Sequence, residues 1–476
     1  MHPLARLDHR HSWHPFTQMR DWLRAEPIVL VSGKGATLRD ARGRRYLDAN
    51  ASIWTNLHGH RHPVLDAALR RQLRKVAHTS YLGLANEPAA RLSAELARIA
   101  NPRFLARAGQ PRLPKVFLSD DGSTALEVAL KLAWEFTRRT RGDARPRFLA
   151  LRGAYHGDTL GAVALGHIDL FHAAFGGMLY RTSAVMAPYC YRCPFNRARP
   201  ERADARTYRN CRWECVDKVE NAFAKARRQG RPYAAFAVEP AMQGAAGMVP
   251  QPEGWWSRVA AIARGAGALL IADEVFTGLG RAGVGPRAGP SLFASHLEGV
   301  QPDFLCLAKG LSGGYLPLAA TLTTQAVFDA FLGEYHEFKT FFHGHSFTAN
   351  PLGCATALAS LDLLETPDGI ARRQALESEL RTELQRLWPL PGIGDIRQVG
   401  LIAGIELVRK AATRQPFDLR ERAGIRVCEA MARRGVLTRP IGNVVPLVLP
   451  YCVTRRQLRR IVSTLAEAVD EVLGRT

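Results

Sequence analysis

A chain of 476 residues, 47% hydrophobic and 23% charged, has enough apolar side chains for a large core and the length of two or three domains. Its longest apolar runs fall well short of the ~20 residues of a membrane helix, and MHPLARLDHRHSWHPF lacks the apolar stretch of a signal peptide, so a cytoplasmic location and no membrane partner are expected. The formal charge of +22 comes from arginines spread among acidic residues, not from a basic tail or block, so no nucleic-acid partner is expected.

In chain order, residues 1–75 carry turn signals, SGKG and DARGRR, between short apolar segments. From about 115 to 325 one theme repeats: a short apolar run, a breaker, then a helical stretch. The runs are KVFLSD, RFLALRG, AAFAVEP, ALLIADE, FLCLAKG and LPLAATLTT. Continuous apolar runs indicate strands covered on both faces, hence an α/β domain with a mostly parallel sheet flanked by helices. A segment at about 188–216 interrupts this theme with Cys190-x2-Cys193 and Cys211-x3-Cys215. That spacing permits zinc or an iron–sulfur cluster, or four reduced thiols in an inserted loop. Cys306, Cys354, Cys428 and Cys452 lie in apolar or helical contexts and are expected to pack as small hydrophobes. Beyond about 352 the pattern changes to amphipathic helices, IARRQALESELRTELQRLW, RAGIRVCEAMARRG and RRQLRRIVSTLAEAVDEVL, around the runs LIAGIELV and VVPLVLP. Residues 1–75 and 351–476 are expected to form a smaller α+β domain beside a large domain at 76–350.

In parallel sheets, ligands gather outside the carboxyl ends of the strands. The run ends therefore supply the candidates: Gly122, Ser123 and Thr124; Tyr155 and His156; Glu239; Asp273; and Lys309. The last stands in DFLCLAKGLSGG, which has two readings. Ser312 in GLSGG fits a nucleophile elbow, but that arrangement needs a histidine well downstream, and no histidine follows His345. Lys309 instead fits a buried amine placed for covalent catalysis, because desolvation makes its neutral form accessible. A lysine bonded to pyridoxal phosphate needs a carboxylate at the pyridine nitrogen, and Asp273 is the natural candidate. The phosphate needs free amides at a helix start, as Gly122-Ser123-Thr124 provide ahead of ALEVALKLAWEF, and Tyr155 offers an aromatic face.

The set GSTALEVALKLA, GAYHGDTLGA, VEPAMQGAAGM, LLIADEVFTGLGR and CLAKGLSGG resembles the class III aminotransferases of pyridoxal-phosphate fold type I, over nearly the whole chain. The resemblance implies pyridoxal 5′-phosphate as cofactor, Lys309 as the lysine that carries it, Asp273 at the pyridine nitrogen, Gly122 and Ser123 at the phosphate, and Tyr155 on the ring. Glu239 would orient neighbouring side chains. It also implies a homodimer with shared active sites, in which Gly344, His345 and Ser346 reach the neighbouring subunit's phosphate region.

Within the class, HSWHPFTQM, NASIWTNLHGHRHP, KTFFHGHSFTANPLGCA and LTRPIGN are similar to the branch that aminates 8-amino-7-oxononanoate in biotin formation. Arg439 then matches the residue that receives the substrate carboxylate, and Trp54 and Tyr155 match walls of the substrate pocket. S-adenosyl-L-methionine is the donor this branch implies. Phe16, Ile53 and Pro446 depart from its common Tyr, second Trp and aromatic, which resembles a subgroup that includes lysine-using members. The broader alternative is an ω-amino acid or diamine transaminase.

Overall fold

The computed structural model describes residues 1–107, 110–283 and 291–474. At its centre is a seven-stranded sheet of β1 (Lys115–Ser119), β2 (Arg147–Leu151), β3 (Ser183–Val185), β4 (Tyr233–Val238), β5 (Leu269–Asp273), β6 (Phe304–Leu307) and β7 (Ala319–Thr323). The spatial order is β1-β7-β6-β5-β4-β2-β3, and β7 alone runs antiparallel to its neighbours β1 and β6. The mixed architecture with a mostly parallel sheet is the expected one. Six of the strands coincide with the apolar runs; β3, only three residues long, has no comparable run.

Burial on both faces explains the continuous apolar strands. Ile271 of β5 packs with Ala129 and Leu132 of helix α1 (Gly122–Arg141), while its neighbour Leu270 packs with Trp255 and Val259 of helix Trp255–Gly265. Both layers exclude water from the strands, so no polar alternation appears. The run-to-helix turns consequently fall at one edge, where β1, β2, β4, β5 and β6 end.

The chain ends meet in a second sheet. Leu30–Lys34, Thr37–Asp40 and Arg45–Asp48 form an antiparallel meander, and Arg45–Asp48 pairs in parallel with Val436–Leu437. Asp48 and Arg439 are thereby carried on adjacent strand ends. A third sheet is built on Ile402–Lys410, flanked by Ile393–Val399 and Val444–Val448.

A buried ionic cluster ties this third sheet to the loop that carries Met248 and to the cysteine-bearing segment. Arg397, 1% exposed, lies 3.1 Å from Asp395 and 2.6 Å from Glu406, and its Nε donates to the Met248 carbonyl at 2.6 Å. Glu406 also accepts from Arg192 and Tyr189 of the cysteine-bearing segment. Removing one partner of such a cluster strands the others in a dry interior. Arg397→Met is expected to destabilise the protein by about 3–5 kcal/mol, read as a lowered urea midpoint of the holoenzyme; an unchanged midpoint would contradict the role given to this cluster.

Candidate active site

The strand ends surround a cavity of about 420 Å³ lined by Trp54, Gly122, Ser123, Tyr155, His156, Glu239, Asp273, Phe276 and Lys309, among others. Lys309 follows β6, and its Nζ lies 4.8 Å from the Trp54 ring centre and 5.5 Å from that of Phe276. Burial lowers its pKa below the ordinary lysine value, with the charges of Asp273 and Glu239 pulling the other way. The free amine is thus more available near neutrality than on an exposed lysine.

Asp273 ends β5 and is 5% exposed. Its Oδ2 is 2.7 Å from His156 Nδ1, and its Oδ1 accepts from the Val275 amide at 3.1 Å. For His156, burial opposes the charged form, yet the bond to Asp273 and that carboxylate's charge hold its pKa above the ordinary imidazole value. The bond to His156 fixes the orientation of the Asp273 carboxylate. Glu239, after β4, accepts from the Tyr155 amide at 3.3 Å and the Gly244 amide at 2.9 Å; burial pushes its pKa up to about 7. It fixes the backbone on two sides of the cavity.

At the other end of the cavity stands the N-terminus of α1. Asp121 caps it, accepting from the Thr124 amide at 3.0 Å, while Thr124 Oγ1 accepts from the Asp121 amide at 3.0 Å. This capping box consumes Thr124 and leaves the first-turn amides of Gly122 and Ser123 for a ligand. Thr124, expected at the phosphate, closes the capping box with Asp121 and is not among the lining residues. Gly157 faces the same end at φ 122°, and a Cβ there would sit 2.1 Å from Ser123 Oγ. Ser123 Oγ accepts from the Asp158 amide at 3.0 Å, so α1 and the 155–158 turn are bonded together. Of the two acids at this end, Asp121 is the cap, and Asp120 Oδ2 lies 2.9 Å from His345 Nδ1.

Tyr155 donates its hydroxyl to Asp158 at 2.7 Å, and burial followed by that contact raises its pKa, so it stays a neutral phenol. Phe16 and Phe171 approach its ring edge-on at 6.2 and 6.3 Å. Arg439 is exposed and donates to the carbonyl of Phe16, the residue whose ring meets Tyr155; Arg439 is not part of the cavity wall. Gly344 and Ser346 are exposed, and neither they nor His345 line the cavity of their own chain. Pro446 is buried in strand Val444–Val448, paired with Gly404, whereas Ile53 is 49% exposed.

Ser312 is 1% exposed; its hydroxyl donates to the Leu316 carbonyl at 2.6 Å and accepts from the Leu316 amide at 3.0 Å. A serine so engaged is no nucleophile. Its glycines permit close packing: a Cβ on Gly314, at φ 85°, would lie 2.7 Å from the Asn56 backbone. The four clustered cysteines line a separate cavity of about 10 Å³. All are free thiols, burial pushes Cys190 and Cys215 up to about 12, and among the described residues no three His, Cys, Asp or Glu side chains are grouped as metal ligands. Among the described residues no helix is long and apolar enough to cross a membrane.

Three participants escaped the sequence reading. His156 appeared as a strand-end residue without a role. Phe276, its ring tilted against Trp54 at 4.3 Å, follows the same strand end as Asp273. Arg281, 1% exposed, donates to the Trp54 and Leu449 carbonyls at 3.1 and 3.3 Å; nothing in its sequence context separates it from the other arginines.

Residues 20–469 match the family model described as aminotransferase class-III. A protein of Geobacter sulfurreducens named adenosylmethionine-8-amino-7-oxononanoate aminotransferase is 45% identical over 98% of this chain and 97% of its own length. The crystal structure of a protein of that name from Methanocaldococcus jannaschii superposes with a TM-score of 0.88 at 34% identity, covering 98% of this chain and 99% of the other. An amine transaminase from an uncultivated Pseudomonas species, solved in its PLP-bound form, gives 0.83 at 32% identity over 97% and 98% of the two chains.

Proposed function

The chain belongs to the class III aminotransferases, and on that premise we propose that it transfers an amino group to the 7-oxo carbon of 8-amino-7-oxononanoate, giving 7,8-diaminononanoate, with S-adenosyl-L-methionine as donor. The enzyme class and the cofactor, pyridoxal 5′-phosphate, follow from the family and from the PLP-bound neighbour. The substrate rests on the names of the near-full-length relatives. The observation that carries the chemistry is the convergence of Lys309, the Asp273–His156 pair and the amides of Gly122 and Ser123 on one cavity.

These residues fit the cofactor. The first-turn amides and the Gly157 cradle suit a phosphate, the side chain of Asp273 suits a pyridinium nitrogen, and an amine stands at the end of β6. When bound, pyridoxal phosphate supplies an electron-withdrawing ring that stabilises negative charge at the substrate carbon. Asp273, held by His156, would hold the proton at the ring nitrogen. The Lys309 amine would hold the cofactor and, once released, would take up and return a proton at its Nζ, as base in one direction and acid in the other. Trp54, Phe276 and Tyr155 form apolar walls that keep water from the reacting carbon. Arg439 receives the far carboxylate through its guanidinium fork. The subunits pair so that Gly344, His345 and Ser346 complete the neighbour's phosphate site. Exposed Phe342 and Phe347, 75% and 57% exposed beside these residues, support that contact.

Two expected outcomes arise here. Gly157→Ala forces a Cβ against Ser123 and should weaken cofactor retention about tenfold or more, measured by equilibrium dialysis; unchanged retention would contradict the cradle. The donor is read by single-turnover bleaching of the cofactor absorbance with each amine in turn. A response to S-adenosyl-L-methionine supports the proposal. A response to lysine alone assigns the donor to lysine, the reading favoured by Phe16, which stands 6.2 Å from Tyr155 without a hydroxyl.

A further inference from the structure

Four consecutive non-glycine residues beside the cavity, Ala51, Ser52, Ile53 and Trp54, have φ of 43°, 48°, 60° and 70°. This is a turn of left-handed helix, which L-residues avoid because each Cβ crowds the following carbonyl. Such geometry persists only where its surroundings over-determine it, and it gathers at functional sites. The turn has a definite holder. Asp48, 3% exposed at the end of strand Arg45–Asp48, accepts through Oδ1 from the Ser52 amide at 3.0 Å and the Asn50 amide at 3.3 Å. Its Oδ2 accepts from Ser52 Oγ at 2.8 Å and lies 3.2 Å from His60 Nε2. Both carboxylate oxygens are thus committed to the turn and its flank. The turn's product is the placement of Trp54, whose ring lies 4.3 Å from Phe276 and 4.8 Å from Lys309 Nζ, with Nε1 donating to Asn50 Oδ1 at 2.9 Å.

We propose that Asp48 is a positioning residue for transamination: its carboxylate latches the left-handed turn and so stations Trp54 as the wall against which the substrate chain is held. The inference rests on the functional reading above. Asp48 touches neither the cavity lining nor Lys309, so its effect passes through Trp54. In a right-handed or extended turn the indole would leave Phe276, and the substrate's apolar chain would lose its wall while Lys309, Asp273 and the phosphate site kept theirs.

The test is a double-mutant cycle on the holoenzyme with Asp48→Asn and Trp54→Ala, read as KM for 8-amino-7-oxononanoate, kcat and the cofactor absorbance. Asp48→Asn is expected to raise KM about tenfold with the absorbance retained, and the double variant to be no worse than Trp54→Ala alone. Ile53→Gly, which accepts positive φ freely, should raise Tm in the wild-type background and restore most of the KM lost in Asp48→Asn. If Asp48→Asn does not fold, Ser52→Ala removes one latch bond and enters the same cycle. Effects of Asp48 and Trp54 that multiply, an unchanged KM, or no rescue by glycine would overturn the proposal. A wild-type enzyme inert towards 8-amino-7-oxononanoate would instead overturn the functional reading, and the cycle would then be read on the donor half-reaction as bleaching of the cofactor absorbance.

Discussion

Lys309→Ala is expected to abolish turnover, by about 10⁴-fold or more, and to remove the cofactor absorbance of the resting enzyme in the same step. The size follows from two losses at one atom: the covalent attachment and the group that moves the proton. Among the described residues that line the cavity, the one other basic group is His156, engaged with Asp273; the buried Arg281 donates to backbone carbonyls. Lys309→Arg should be nearly as inactive, because a guanidinium stays protonated where a neutral amine is required. Steady-state rates and an absorbance spectrum check both variants, and turnover within about tenfold of wild type by Lys309→Ala would remove lysine from the chemistry.

Asp273→Asn should be the next largest loss, about 10³-fold in kcat. An amide in place of the carboxylate cannot hold the ring nitrogen protonated, and it also releases His156. Burial opposes the charge on His156, and the bond and charge of Asp273, more than the charge of Glu239, hold its pKa up, so in the variant it should fall. The sign is testable: His156 should titrate above the ordinary imidazole pKa in the wild type and below it in Asp273→Asn, followed by NMR of labelled imidazole. Cofactor retention should fall less than kcat, because the phosphate amides on α1 and Lys309 remain. Equal loss of retention and rate would mean that Asp273 only binds the cofactor.

Much of this site could be read in the chain because parallel sheets bring successive strand ends to one edge. Asp273, Glu239, Lys309, Tyr155 and the Gly122-Ser123 turn each end an apolar run, and the fold gathers them as that rule requires. The same rule could not give Thr124 its job, since a threonine three residues after an aspartate serves a capping box as readily as a phosphate. Arg439 and Ser346 enter only through family motifs, because no periodicity singles out a residue that the fold leaves exposed. The left-handed turn was invisible for a stricter reason. Ala51, Ser52, Ile53 and Trp54 have no local preference for positive φ, and the conformation is imposed by Asp48 and by the buried Arg281. Likewise β3 has too few residues to show a pattern and is recruited by pairing with β2.

The most direct measurement of the central claim is the product formed by the purified holoenzyme given 8-amino-7-oxononanoate and either S-adenosyl-L-methionine or lysine, followed by mass spectrometry. The account predicts 7,8-diaminononanoate, formed with S-adenosyl-L-methionine and absent in Lys309→Ala. A holoenzyme whose cofactor absorbance responds to other amines but which yields no 7,8-diaminononanoate with either donor would contradict it.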